Sequence, residues 1–228
     1  MLAAGAIALG ALAVTSVAVA QSDSPAIDSP AGAAGASLAP AERLRLPGCM
    51  RVVILGDSLT VGAAKYHRLQ LENASLVGTV DGRIGRRVAK TSDPTMSGVL
   101  SAARIRRDWG DADCWVVALG TNDYYVGWSD TVAEVTRLIE QQLGAITPDA
   151  RVWWVNVRDA SSTAALAGSQ RFNQALVDRA AVDDRFQVVD WYSLFRANAG
   201  WSGDGIHVGT AGSIARAALV ARALDGTP

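Results

Sequence analysis

Apolar positions in this chain fall into short continuous runs, and polar or small residues close each run. The runs are RVVIL (51–55), SLVGTV (75–80), CWVVAL (114–119), RVWWVNV (151–157) and FQVVD (186–190). Each is β-branched or aromatic, and none alternates strictly between apolar and polar, which predicts strands covered on both faces. Between them, spacings of three and four predict helices near 59–71, 95–107, 129–145, 168–182 and 211–224. Strands alternating with helices give a parallel sheet, so the expected fold is a three-layer α/β/α sandwich with about five parallel strands. In such sheets ligands bind beyond the carboxyl ends of the strands.

The pattern is different ahead of residue 49. Residues 1–20, MLAAGAIALGALAVTSVAVA, carry no charge and end in Ala18-Val19-Ala20, as a signal peptide with an A-x-A site does. No Lys or Arg precedes Arg43, so the basic start of a signal peptide is missing, and residues 2–20 are also long enough for a membrane tether. Both readings put the domain outside the cytosol. Residues 21–48 are rich in Ser, Pro, Ala and Gly and are expected to be a flexible linker, leaving 49–228 as the folded domain.

Composition narrows the function. A formal net charge of -1 gives no whole-chain ground for a nucleic-acid partner. Two cysteines and two histidines in 228 residues argue against a zinc or His-rich metal site, and no cofactor or metal is expected. Cys49 precedes the first run and Cys114 opens the third. In a flavodoxin-like strand order those runs are neighbours, about 5 Å apart. That suits a disulfide in an exported domain; two unrelated buried thiols are the alternative.

Candidate chemistry gathers where the runs end. Ser58, in VILGDSLTVG, stands at the first step of a helix, beside free N–H groups and the positive end of the helix dipole. It is a nucleophile candidate, and equally an N-cap. A nucleophilic serine needs a base held by a carboxylate. His67, within the first helix, is expected to be a surface or partly buried side chain. His207, in a Gly-rich loop before the last helix, follows Asp204 by three residues, and Gly205 lets the loop turn. Asn122, in ALGTNDYY, could donate to an oxyanion or simply form a turn. Gly82 and Gly85, in VDGRIGRRV, could each aim an N–H at the same place. Asp57 is expected to brace its loop. Arg86, with Arg83 and Arg87, is a candidate for an anionic substrate or a solvated face, while Tyr124, Tyr125 and Trp128 could line a cleft or pack beneath a loop. Trp153 and Trp154 are expected to point to opposite faces of the sheet. Asn156 and Asp159 are rim residues without an assigned role.

Four of these blocks occur in a familiar order: GDSL with Ser58, GRIGRR with Gly85, GTND with Gly120 and Asn122, and DGIH with Asp204 and His207. Over residues 50 to about 224 the chain resembles the SGNH, or GDSL-type, hydrolases. The resemblance implies a serine esterase with an open site. Ser58 would be the nucleophile, His207 the base and acid, and Asp204 the residue orienting it. The oxyanion hole would come from Ser58 N–H, Gly85 N–H and the Asn122 side chain. The chain also resembles domains attached to membrane acyltransferases that modify cell-surface sugars. The expected function is therefore an exported, monomeric carboxylic-ester hydrolase acting on a small-molecule or glycan ester with short acyl groups. The alternatives are an acyltransferase acting on cell-envelope sugars and a non-catalytic carbohydrate-binding module.

Overall fold

The structure is a computed structural model, and it describes residues 49–89, 91, 93–123 and 131–226. The predicted signal or tether segment, the linker, Tyr124, Tyr125 and Trp128 lie outside the described residues. Among the described residues no helix is long and apolar enough to cross a membrane.

Five strands form one sheet: β1 (Arg51–Gly56), β2 (Val77–Gly82), β3 (Cys114–Ala118), β4 (Arg151–Val155) and β5 (Phe186–Val189). All pairs are parallel, in the order β2-β1-β3-β4-β5. Six helices connect and cover them: α1 (Ser58–Asn73), α2 (Gly98–Trp109), α3 (Val132–Ala145), α4 (Thr163–Ala180), α5 (Trp191–Ala197) and α6 (Thr210–Asp225).

Side chains alternate across each strand, and two cores result. Val53, Leu55, Trp115, Val117 and Trp154 pack against α2, α3 and α4 through Ile105, Leu138, Ile139, Phe172 and Leu176. Val52, Ile54, Val116, Trp153 and Val155 face α1, α5 and α6 through Leu71, Trp191, Phe195, Val220 and Leu224. Trp153 and Trp154 do point to opposite faces. This is the expected three-layer sandwich.

Several boundaries differ from the sequence reading, α2 beginning at Gly98 and α3 at Val132 rather than near 95 and 129, and others differ for a visible local cause. β2 begins at Val77 rather than residue 75, because Ser75 adopts a left-handed φ of 57° and Leu76 N–H still closes the end of α1 on Leu71 O. α4 begins at Thr163, with the Ser162 hydroxyl accepting from Ala165 N–H as its cap. α5 was not expected at all; its seven residues are too few for a periodic pattern to emerge.

Cys49 and Cys114 are joined in a disulfide, their Cα atoms 5.7 Å apart. The flavodoxin-like order supplies the reason: β1 lies beside β3, with Val52 in register with Cys114. Both cysteines are buried.

Candidate active site

The register sets Gly56, Gly82 and Ala118 side by side at the carboxyl edge of the sheet. The chain leaves β1 at Gly56, and Asp57 caps α1 by accepting from Leu59 N–H at 3.0 Å. Capping is therefore the work of Asp57, as its expected bracing role required. Ser58 is the first helical residue, with its N–H among the first-turn donors that have no carbonyl one turn back. Its hydroxyl lies 2.9 Å from His207 Nε2, and Ser58 is not an N-cap.

His207 sits in the loop before α6. Its Nδ1 lies 2.8 Å from Asp204 Oδ2, so this nitrogen carries the proton and Nε2 accepts from Ser58. Asp204 is held from within its own loop. Its Oδ1 accepts from the N–H groups of Ile206 and His207 at 2.9 and 2.8 Å and from the Ser202 hydroxyl at 3.0 Å. The His207 ring, followed by these donors, holds the Asp204 carboxyl well below the usual carboxylate range. The ring therefore faces an anion at any working pH. Gly205 makes the turn possible: its φ is +82°, and a Cβ there would fall 2.7 Å from the Ala160 carbonyl carbon. Gly205 O also accepts from Ala160 N–H at 3.0 Å, which ties the loop to the carboxyl end of β4. The His207 and Asp204 side chains are each 54 % exposed, so water and a second substrate can reach the pair.

Gly85 and Asn122 approach from the neighbouring strand ends. Gly82 is the last residue of β2, whereas Gly85 lies beyond it in a turn closed by Arg86 N–H on Arg83 O. Gly85 takes the third place of that turn with φ +75°, a value suited to glycine. Among the described residues its N–H donates to no backbone carbonyl. The Asn122 amide gives one hydrogen to Arg86 O at 3.1 Å, which leaves the second for another acceptor. Asp123 strengthens the link between these loops, since both its oxygens accept from Val88 N–H at 3.1 and 3.2 Å. Burial pushes the Asp123 carboxyl up to about 7, against the pull of Val88 N–H and Arg87.

Two expectations are corrected. Arg86 is not a substrate ligand: it is 2 % exposed and its guanidinium is spent internally. Nη1 donates to Gly56 O and Asp81 O at 3.1 and 2.7 Å, and Nη2 pairs with Asp81 at 2.9 Å. It stitches the ends of β1 and β2 together, while Arg83 stays half-exposed near Asp93. His67 is fully buried rather than superficial, and burial, followed by Arg216, lowers its imidazole to about 3. The rim residues have structural partners. Asn156 donates to Asp190 and accepts from Tyr192 N–H, while Asp159 accepts from Ser161. Sequence reasoning missed Ser202, which holds both Asp204 and Gly205 N–H, and Arg216, which is buried on α6. The inward face of α6 (Ser213, Ala217, Val220, Leu224) was the available signal, because Arg216 lies on it.

No curated protein matches the chain. Solved structures share its fold, three of them as follows. One is a lipase/acylhydrolase from Enterococcus faecalis, 17 % identical, TM-score 0.60, covering 77 % of this chain and 95 % of its own. Another is the catalytic domain of peptidoglycan O-acetyltransferase A from Streptococcus pneumoniae, 14 % identical, TM-score 0.61, covering 78 % and 94 %. The third is a carbohydrate acetylesterase family member from Sinorhizobium meliloti, 17 % identical, TM-score 0.59, covering 77 % and 98 %. A sequence profile matches residues 54–213, the stretch that runs from within β1 into α6 and carries Ser58, Gly85, Asn122, Asp204 and His207, and by that match the chain belongs to the GDSL-like lipase/acylhydrolase family.

Proposed function

We propose that the chain is an exported serine esterase that cleaves short-chain carboxylic esters of small molecules or glycans through an acyl-enzyme. The observation that carries this reading is the continuous chain from Ser58 Oγ to His207 Nε2 at 2.9 Å and from His207 Nδ1 to Asp204 Oδ2 at 2.8 Å. A hydroxyl held this way loses its proton to the imidazole as it attacks a carbonyl carbon. The tetrahedral oxyanion would be met by Ser58 N–H, Gly85 N–H and the second hydrogen of the Asn122 amide. His207 then gives the proton to the leaving alcohol, which breaks the ester C–O bond and leaves an acyl group on Ser58. Water, deprotonated by the same imidazole, releases the carboxylic acid and restores Ser58.

The disulfide supports export, since such bonds persist in oxidising compartments. The half-exposed His207 is compatible with an acyl acceptor other than water. If a sugar hydroxyl replaces water, the same steps transfer the acyl group. A fluorophosphonate probe, followed by peptide mass spectrometry, is expected to label Ser58. p-Nitrophenyl acetate should be cleaved faster than its long-chain analogues. Acetyl-sugar esters, and an ester supplied with a free sugar, then separate hydrolysis from transfer. A chain that stays unlabelled and inert to every ester in the series would overturn the reading.

A further inference from the structure

Two groups of opposite charge, Asp57 next to the proposed nucleophile in sequence and Arg216 on α6, are buried with no ion pair between them. Asp57 is 1 % exposed; Oδ1 caps α1, and Oδ2 has no hydrogen-bond partner among the described residues. Arg216, on α6, is 2 % exposed. Its guanidinium lies over the Trp191 ring, 4.9 Å from the centroid, and neither Nε nor Nη1 has a partner. No carboxylate among the described residues lies within ion-pair distance of it. Two neighbours on α1, Thr60 Oγ1 and His67 Nδ1, are buried and unpartnered too. Charges this far from water persist only where an opposite charge shares their surroundings. Neither can be dismissed as a misplaced surface residue.

We infer that Arg216 is a positioning residue for the reaction, the counter-charge that allows an ionised Asp57 to cap the Ser58 helix without opposing the oxyanion. The inference rests on the esterase reading. Asp57 is adjacent to Ser58, within the turn whose N–H groups would receive the developing negative charge. A bare carboxylate there would repel that charge, and a protonated one would be a weaker cap. Arg216, buried on α6, avoids both outcomes as a counter-charge rather than as a substrate contact.

The surroundings agree. Burial leaves the Asp57 carboxyl raised overall, and Arg216 from α6 is the strongest influence opposing that rise, ahead of Leu59 N–H, the Thr121 hydroxyl from the loop after β3, and His207. Asp123, from that same β3 loop, is the other acid in electrostatic reach. Burial draws the Arg216 guanidinium down to about 10, so it remains charged at neutral pH. His67 is held neutral, and Arg216 is left as the cation of the cluster.

The test compares Arg216→Met, Arg216→Lys, Asp57→Asn and the double variant Asp57→Asn/Arg216→Met. For each, kcat and KM for p-nitrophenyl acetate are measured from about pH 5 to about pH 9, with thermal melts and Ser58 labelling. Arg216→Met is expected to lower kcat about tenfold at the alkaline end, less than the loss of a direct oxyanion donor. The loss should shrink toward acid pH as Asp57 takes up a proton, on a limb displaced to higher pH than the wild type's, with KM unchanged. Arg216→Lys should retain the wild-type profile. The double variant replaces a neutral pair of charges with a neutral pair of side chains; it should return to within about threefold of wild type and show no extra limb. A wild-type pH profile in Arg216→Met, or a double variant no better than the single ones, overturns the inference. If Arg216→Met does not fold, the Lys and double variants decide: a double variant that also fails to fold or to turn over overturns it. A wild type that is neither labelled nor active sinks the esterase reading and this inference together. An active wild type indifferent to Arg216→Met sinks the inference alone.

Discussion

At the edge of the sheet where β1 and β3 begin, the chain is fastened by buried and covalent means. The Cys49–Cys114 bond is out of water, Asp113 accepts from Met50 and Arg51 N–H at 3.0 Å each, and the Arg51 guanidinium lies over the Trp109 ring. At the opposite edge, the Ser58–His207–Asp204 chain is half-exposed and held by hydrogen bonds from its own short loops. One edge has no chemistry to perform and can be sealed. On the proposed reaction the other must admit water and ester, and it gains order from local donors and from clamps such as Arg86 set just behind it. Stability and reactivity are placed at opposite ends of the same strands.

That contrast can be broken from either end. The largest effect is expected at the open edge: Ser58→Ala and His207→Ala should each lower kcat by at least about 10⁴-fold, with melting temperatures close to wild type. A large loss of melting temperature in Ser58→Ala would mean that the exposed edge is not independent of the fold. At the sealed edge, Cys49→Ser with Cys114→Ser opens a covalent loop with a sequence separation of 65. The chain-entropy account gives a stability loss of about 4 kcal/mol, read by denaturant unfolding, with kcat kept. Behind the open edge, Arg86→Met should cost about 3 kcal/mol, because it unpairs a buried charge network; Asp81 retains Arg104, which moderates the loss. An unchanged melt with a raised KM would instead return Arg86 to the substrate.

The most gradual effect, small at any one pH step, concerns pH. Asp123 has a folded pKa raised to about 7, so the folded chain holds a proton that the unfolded chain has already released. Stability should therefore fall as pH rises from about 4 to about 7, by at most about 1.4 kcal/mol per pH unit, and level off above that. Asp123→Asn keeps an acceptor for Val88 N–H and should flatten this slope. Melts across that range that show the same slope in both proteins would remove Asp123 as its source.

The strand ends and the site blocks were legible because each strand is a continuous β-branched run and the polar residues sit where those runs stop. What escaped had physical causes. Arg86 reads as a surface residue because arginine is ordinarily exposed; only Asp81, five residues earlier, hints at a partner that lets it turn inward. His67 lies on the stripe Leu59, Ala63, His67 and Leu71, whose spacing marks the buried face of α1, and a reading of that face would have placed it inside. Ser202 was invisible because a serine in a Gly-rich loop has many uses, and its two bonds to residues 204 and 205 appear only once the loop is closed.

The contacts that aim Asp204 and His207 at each other all arise within residues 202–207. The acid–imidazole unit can therefore assemble before the chain around it is complete, and the long-range approaches, from residue 205 to residue 160 and from residue 207 to residue 58, remain to be made. On the esterase reading proposed above, activity then becomes a late event in folding, gained when the base of α6 settles against the start of α1. In a refolding experiment, probe labelling of Ser58 should lag behind the recovery of helical signal and arrive together with the burial of Trp191 at that seam.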